Sequence, residues 1–194
     1  MPAFAKICAA LLPLLFASCW ENPLTGHPSE SLNTWLLGQW EHREKNGTTS
    51  RAVVVPAASD RYQIRLSWSA KGPRREYSFE AWPSRVGESL FLTLRSLEDS
   101  PNLPAGSHIF LHAQMVDQNT VRLRELQLGS SPDASSMTLR REIRARLKDG
   151  SLYNENAAQN WKRSAQAFWG RDGETGIFAP LNYEVPQESP KKTP

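Results

Sequence analysis

The chain is poor in the residues that most often carry chemistry. It has two cysteines in 194 residues, Cys8 and Cys19, and Cys8 lies in an N-terminal stretch read below as a discarded signal, which leaves no pair for a disulfide or a thiolate metal site. Histidine is scarce as well, with four in the whole chain. The pair His108 and His112 has the spacing that chelates zinc from one face of a helix. On a strand, a rise of about 3.3 Å per residue sets them roughly 13 Å apart, so they cannot share a metal and are expected to be surface or rim residues. No Gly-x-Ser-x-Gly elbow is present, and the order of acids and histidines suggests no triad. Gly170-Arg171-Asp172-Gly173-Glu174-Thr175-Gly176 has the glycines of a phosphate loop without its Lys-Ser/Thr, and reads as an exposed turn; Asp172 and Glu174 are at most a loose calcium contact.

Charge of one sign is also lacking. The formal net charge is only +3 and the pI near 9.0 comes from scattered arginines, which gives nucleic-acid binding little support. The longest apolar run, Ile7 to Ala17, is roughly 11 residues against the about 20 of a membrane-spanning helix, and Pro13 interrupts it. No catalytic residue, metal or cofactor is therefore expected.

What is present begins at the N-terminus. One cation, Lys6, precedes the apolar run, and Ser18, Cys19 and a polar stretch follow it, which is the layout of a secretory signal. Leu15-Phe16-Ala17-Ser18-Cys19 resembles the lipobox of bacterial lipoproteins, with Phe16 standing where Leu is usual. The resemblance implies lipidation of the Cys19 thiol, cleavage before it and a lipid-anchored address in the cell envelope. Trp20 in place of an Asp implies sorting to the outer membrane. Ordinary secretion with cleavage after Ser18 is the alternative, and it needs a small residue where Phe16 stands. Cleavage discards Cys8, so the fold must hold by its core alone.

Residues 1–18 are thus read as signal. Residues 19–30, polar with Pro23, Gly26 and Pro28, read as a tether. A domain follows over 31–164, then an extension over 165–186, whose Phe168, Trp169, Phe178 and Tyr183 suggest packing, and a disordered tail over 187–194. One core is expected for a chain of this length.

Within the domain, apolar residues recur with period two, as in half-buried strands. Tyr62, Ile64, Leu66 and Trp68 alternate with polar residues, as do Tyr77, Phe79 and Ala81. Leu90, Leu92 and Leu94 follow, then Ile109, Leu111, Ala113 and Met115. Turn residues separate the runs: Asn46-Gly47, Lys71-Gly72-Pro73, Arg85-Val86-Gly87 and Asp117-Gln118-Asn119. Strands are predicted over 39–45, 51–55, 62–69, 76–82, 90–96, 108–116, 120–128 and 160–164. Closing such strands into a barrel removes both edges; a two-sheet sandwich satisfies the same pattern. One helix is predicted late in the chain. Ser135 or Ser136 caps it, Leu139, Ile143 and Leu147 share a face, and Gly150 takes the left-handed cap. Its other face carries Arg140, Arg141, Arg144 and Lys148, a solvated row or a contact for anionic lipid headgroups.

Leu36-Leu37-Gly38-Gln39-Trp40 resembles the Gly-x-Trp entry of the lipocalins and their calycin relatives. The order of elements from Leu36 to Arg163 is similar to a group of uncharacterised lipocalin-like bacterial lipoproteins. The resemblance implies an antiparallel lipocalin-like eight-stranded β-barrel, mainly β, with one late α-helix. It also implies a short helical turn over Ser31 to Leu37, Trp40 at the closed end, and an Arg packed across it, for which Arg163 is the candidate. Tyr62, Leu66, Tyr77, Phe79 and Leu92 are expected to line the interior. The expected function is a noncatalytic module holding a hydrophobic small molecule or lipid. The alternative is a filled barrel that docks an envelope protein partner, with an enzyme third.

Overall fold

A computed structural model describes residues 19–69, 75–100, 103–153 and 155–164. The residues from Cys19 to Arg163 belong to one compact unit, and Ser164 begins a second, of which it is the only described residue. The signal, the glycine stretch at 170–176, the aromatics from Phe168 onward and the tail lie outside the described residues.

Eight strands close into an antiparallel barrel in chain order: β1 (Gly38–Arg43), β2 (Thr49–Ala58), β3 (Arg61–Ser69), β4 (Arg75–Val86), β5 (Ser89–Ser96), β6 (His108–Asp117), β7 (Thr120–Glu125) and β8 (Gln159–Arg163). The ring shuts where Trp40 of β1 pairs with Arg163 of β8, which excludes the open sandwich. Every predicted strand is present. The largest difference is at β4, which runs through Pro83 to Val86, with Pro83 opposite Leu92. Proline reads as a breaker because it donates no ladder hydrogen bond. Here its carbonyl still serves, accepting from the Ser29 backbone N–H at 2.9 Å.

The register fixes which side chains face inward. Trp40, Ala52 and Leu66 lie side by side, Leu66 is opposite Tyr77, Tyr62 is opposite Ala81, and Ala81 in turn is opposite Leu94. This parity gives the inner cluster, which includes Trp40, Val54, Tyr62, Tyr77, Phe79, Leu92, Ile109, Val121 and Trp161.

The opposite parity on β4 to β6 is also apolar. Val86, Phe91 and Phe110 face outward and form a second cluster with Trp20, Leu24, Leu126 and Leu152 and with Leu139 and Ile143 of the helix α1 (Ser136–Asp149). The single core expected from length is thus corrected to two, one inside the barrel and one on its outer wall. Helix α1 begins at Ser135, whose side chain accepts from the Thr138 N–H, and ends at Gly150 with φ 76°, a conformation glycine adopts without steric cost. Arg141, Arg144 and Lys148 are exposed, and Arg140 reaches back to the Ser136 carbonyl.

The reading of 19–30 as a tether is corrected as well. This segment is a strap laid along the outer wall, where Trp20 and Leu24 are buried. Trp20 exchanges two backbone hydrogen bonds with His108, at 2.9 and 2.7 Å. Glu21 N–H donates to Pro132, Thr25 Oγ1 meets Ser84 Oγ at 2.9 Å, and Glu30 pairs with Arg85. The cause is the apolar outer wall, which would otherwise face water over a contiguous patch. Trp20 and Leu24 cover it, and polar neighbours take up the local hydrogen bonds.

Candidate functional site

The two ends of the barrel differ. At the end carrying the β2–β3, β4–β5 and β6–β7 turns, the 3-10 turn Thr34–Leu36 crosses the opening. Trp40 sits beneath it, its indole N–H donating to the Leu36 carbonyl at 2.8 Å. Arg163 stacks on the Trp40 ring at 4.4 Å and donates to the carbonyls of Leu37 and Trp35. The Tyr62 hydroxyl accepts from the Asn33 N–H at 2.7 Å and donates to the Asn33 carbonyl at 3.0 Å. Burial pushes the Tyr62 phenol up to about 12, with the Asn33 contact pulling the other way. These side chains close this end.

The other end carries the longer connections, including 97–107 between β5 and β6. Leu103 from this connection is buried against the inner cluster. Between the ends, the five residues expected to line the interior all face inward. Tyr62, Phe79, Tyr77 and Leu92 are buried, and Leu66 is only half-buried.

The more informative residues are ones that the sequence reading left out of the lining. Ile64 on β3, Leu111 and Ala113 on β6 and Leu123 on β7 pack on the inner cluster yet keep exposed surface, as Leu66 does. β3 and β7 are opposite walls of an eight-strand ring. Inward-facing apolar surface thus remains accessible on both walls, where small barrels are either filled by side chains or left wide enough for one small ligand. The signal for it was period two alone, which reports facing and not filling.

Toward the open end the lining turns polar. His42, Glu125 and Gln159 share the inward parity. The Gln159 side chain accepts from the Trp161 indole at 3.1 Å, and the His42 ring lies 5.7 Å from that of Trp161. Cys19 lies at this rim. Its side chain packs on the inner cluster, opposite in sense to Trp20, and bonds Ser107. Burial pushes its thiol up, partly offset by Ser107 and reinforced by Glu125.

His108 and His112 are covered, not surface or rim residues. His108 is buried on the outer face of β6, edge-on to Trp82 at 6.0 Å, with Nδ1 3.3 Å from the Trp20 carbonyl. His112 is half-buried and stacked on Tyr153 at 5.2 Å. The apolar second parity draws both under cover. Among the described residues no group of three or more His, Cys, Asp or Glu is placed to hold a metal, and no helix is long and apolar enough to cross a membrane.

Set against protein-family models and curated proteins, the chain matches none. Among solved structures it is similar to a de novo designed fluorescence-activating β-barrel, at 13% identity over 68% of this chain and 95% of that one, with a TM-score of 0.36. So remote a likeness adds nothing to the fold described above.

Proposed function

We propose that this chain is a lipid-anchored envelope lipoprotein with a lipocalin-like barrel that holds a hydrophobic small molecule or lipid without transforming it. The observation that carries this reading is the accessible, inward-facing apolar surface of Ile64 and Leu66 on one side and of Leu111, Ala113 and Leu123 on the other. A solid barrel would bury these side chains at the density of protein interiors. Trp40, Arg163 and Tyr62 shut one end, so a ligand enters from the other. The anchor rests on Lys6, the apolar run and Leu15-Phe16-Ala17-Ser18-Cys19, with the outer membrane as the expected address. Native mass spectrometry of protein gently extracted from envelope tests the binding: a copurifying apolar mass supports it, and a clean apo mass with no uptake of added fatty acid overturns it.

A second reading, docking of an envelope protein partner, draws on Met115 and Val116, consecutive large apolar residues that are both exposed at the tip of β6. Under that reading crosslinking in the envelope captures a partner through Val116, and substitution to Ser abolishes capture.

A further inference from the structure

We propose that the open end of the barrel is the membrane-facing surface of the protein, with the bilayer itself as its partner; this rests on the reading of Cys19 as the lipid-bearing residue. An anchored domain tumbles freely only if chain separates the anchor from the fold. Here the next residue is already fixed: Trp20 is bonded to His108 in both directions, buried, and stacked on Phe110 at 6.0 Å. Glu21 is bonded to Pro132 and Leu24 is fully buried. No spacer lies between the attachment point and the wall.

Direction follows from alternation. Trp20 turns outward, and Cys19 turns onto the inner cluster at the rim, beside Ser107 and close to Glu125. The glycerol of a thioether-linked diglyceride is bonded directly to the sulfur, so its ester groups, which occupy the headgroup boundary, lie only a few bonds away. The rim must then lie at that boundary. Leu97, exposed in the connection at this same end, is placed to enter it.

The closed end is held far from the surface. β6 has 10 residues, and a strand of that length at about 3.3 Å per residue and a tilt of about 40° spans roughly 25 Å along the barrel axis. A hydrophobic ligand would pass from bilayer to lumen without crossing open water.

The test uses the full lipidated protein, whose mature chain has no thiol besides Cys19. Lys45→Cys places a label on the β1–β2 hairpin at the open end, and Gln118→Cys one on the β6–β7 hairpin at the closed end; both sites are exposed. The labelled proteins are reconstituted in phosphatidylcholine vesicles containing brominated phosphatidylcholine. Quenching at least three-fold stronger at position 45 than at 118, and equalised by a Gly-Ser spacer inserted between Cys19 and Trp20, is the expected result. Stronger quenching at 118 overturns the orientation and points instead to Met115 and Val116 as the apposed surface. Equal quenching without the spacer also overturns it. An intact mass with no lipid on Cys19 overturns the anchor reading itself, and the two failures are thereby distinguished.

Discussion

The guanidinium of Arg163 stands 4.4 Å above the ring of Trp40 and donates to the carbonyls of Leu37 and Trp35 at 2.7 and 2.8 Å. The last residue of the last strand thereby ties down the turn that precedes the first.

Removing that tie should be costly. Two charge-assisted hydrogen bonds and a cation over a ring together contribute about 3 kcal/mol, so Arg163→Ala is expected to lower stability by roughly that amount in urea denaturation. Arg163→Lys keeps the charge but loses the planar fork, and recovers only part. Gly38 is constrained by the same group: at φ +124° its added Cβ would lie 2.6 Å from an Arg163 nitrogen. Gly38→Ala should therefore destabilise as well, and less so in the Arg163→Ala background.

The lumen predicts an unusual mutant. Ala113 faces inward and is only half-buried. In a filled barrel, Ala113→Phe would overpack and cost about 1–3 kcal/mol. With space available, stability should change by less than about 1 kcal/mol, while affinity for an apolar fluorescent probe falls at least ten-fold by titration. A large loss of stability would count against the lumen.

The strap predicts the reverse of what a tether does. Leu24 is fully buried against the outer wall, so Leu24→Ala should cost about 2–5 kcal/mol. A residue in a loose linker would change stability by less than about 0.5 kcal/mol. Thermal unfolding of the two proteins separates these outcomes.

Acid should loosen this side of the molecule first. Burial holds His108 below its ordinary value of 6.5, as does the nearby Arg95, against the carbonyls of Trp20 and Glu21; burial and Arg124 do the same for His112. Below the ordinary value the unfolded chain binds more protons than the folded one, so stability is complete above pH 6.5 and falls as pH drops, levelling once the folded histidines also protonate. The urea midpoint should decline as pH drops below about 6.5, and His108→Gln should flatten the slope. Glu142 acts at lower pH. Its burial raises it, but hydrogen bonds from Gly129, Ser130 and Arg146 outweigh this and hold it below 4.5.

Much of the barrel was readable because its inner parity is apolar and its turns carry Asn, Gly and Asp. Helix α1 was readable from its caps, Ser135 and Gly150. The strap was not, since Pro23, Gly26 and Pro28 give 19–30 the composition of a linker and hide Trp20 and Leu24. A signal did exist in β5 and β6, where Leu90-Phe91-Leu92 and Ile109-Phe110-Leu111 are continuously apolar, as strands covered on both faces are. Such runs demand a cover, which the helix and the strap supply together. Whether the lumen is filled was not readable at all, because that depends on side-chain volumes summed across strands and not on facing.

The bond from Arg163 to Leu37 joins residues 126 apart in the chain, and this separation has a temporal consequence. Until the ribosome has made position 163, β1 and β7 are raw edges, each paired on one side only, and the ring cannot exist. Contacts so distant in sequence form late and slowly, so a nascent chain stays pliable for most of its synthesis. That is the condition in which a polypeptide is threaded most easily through a narrow pore.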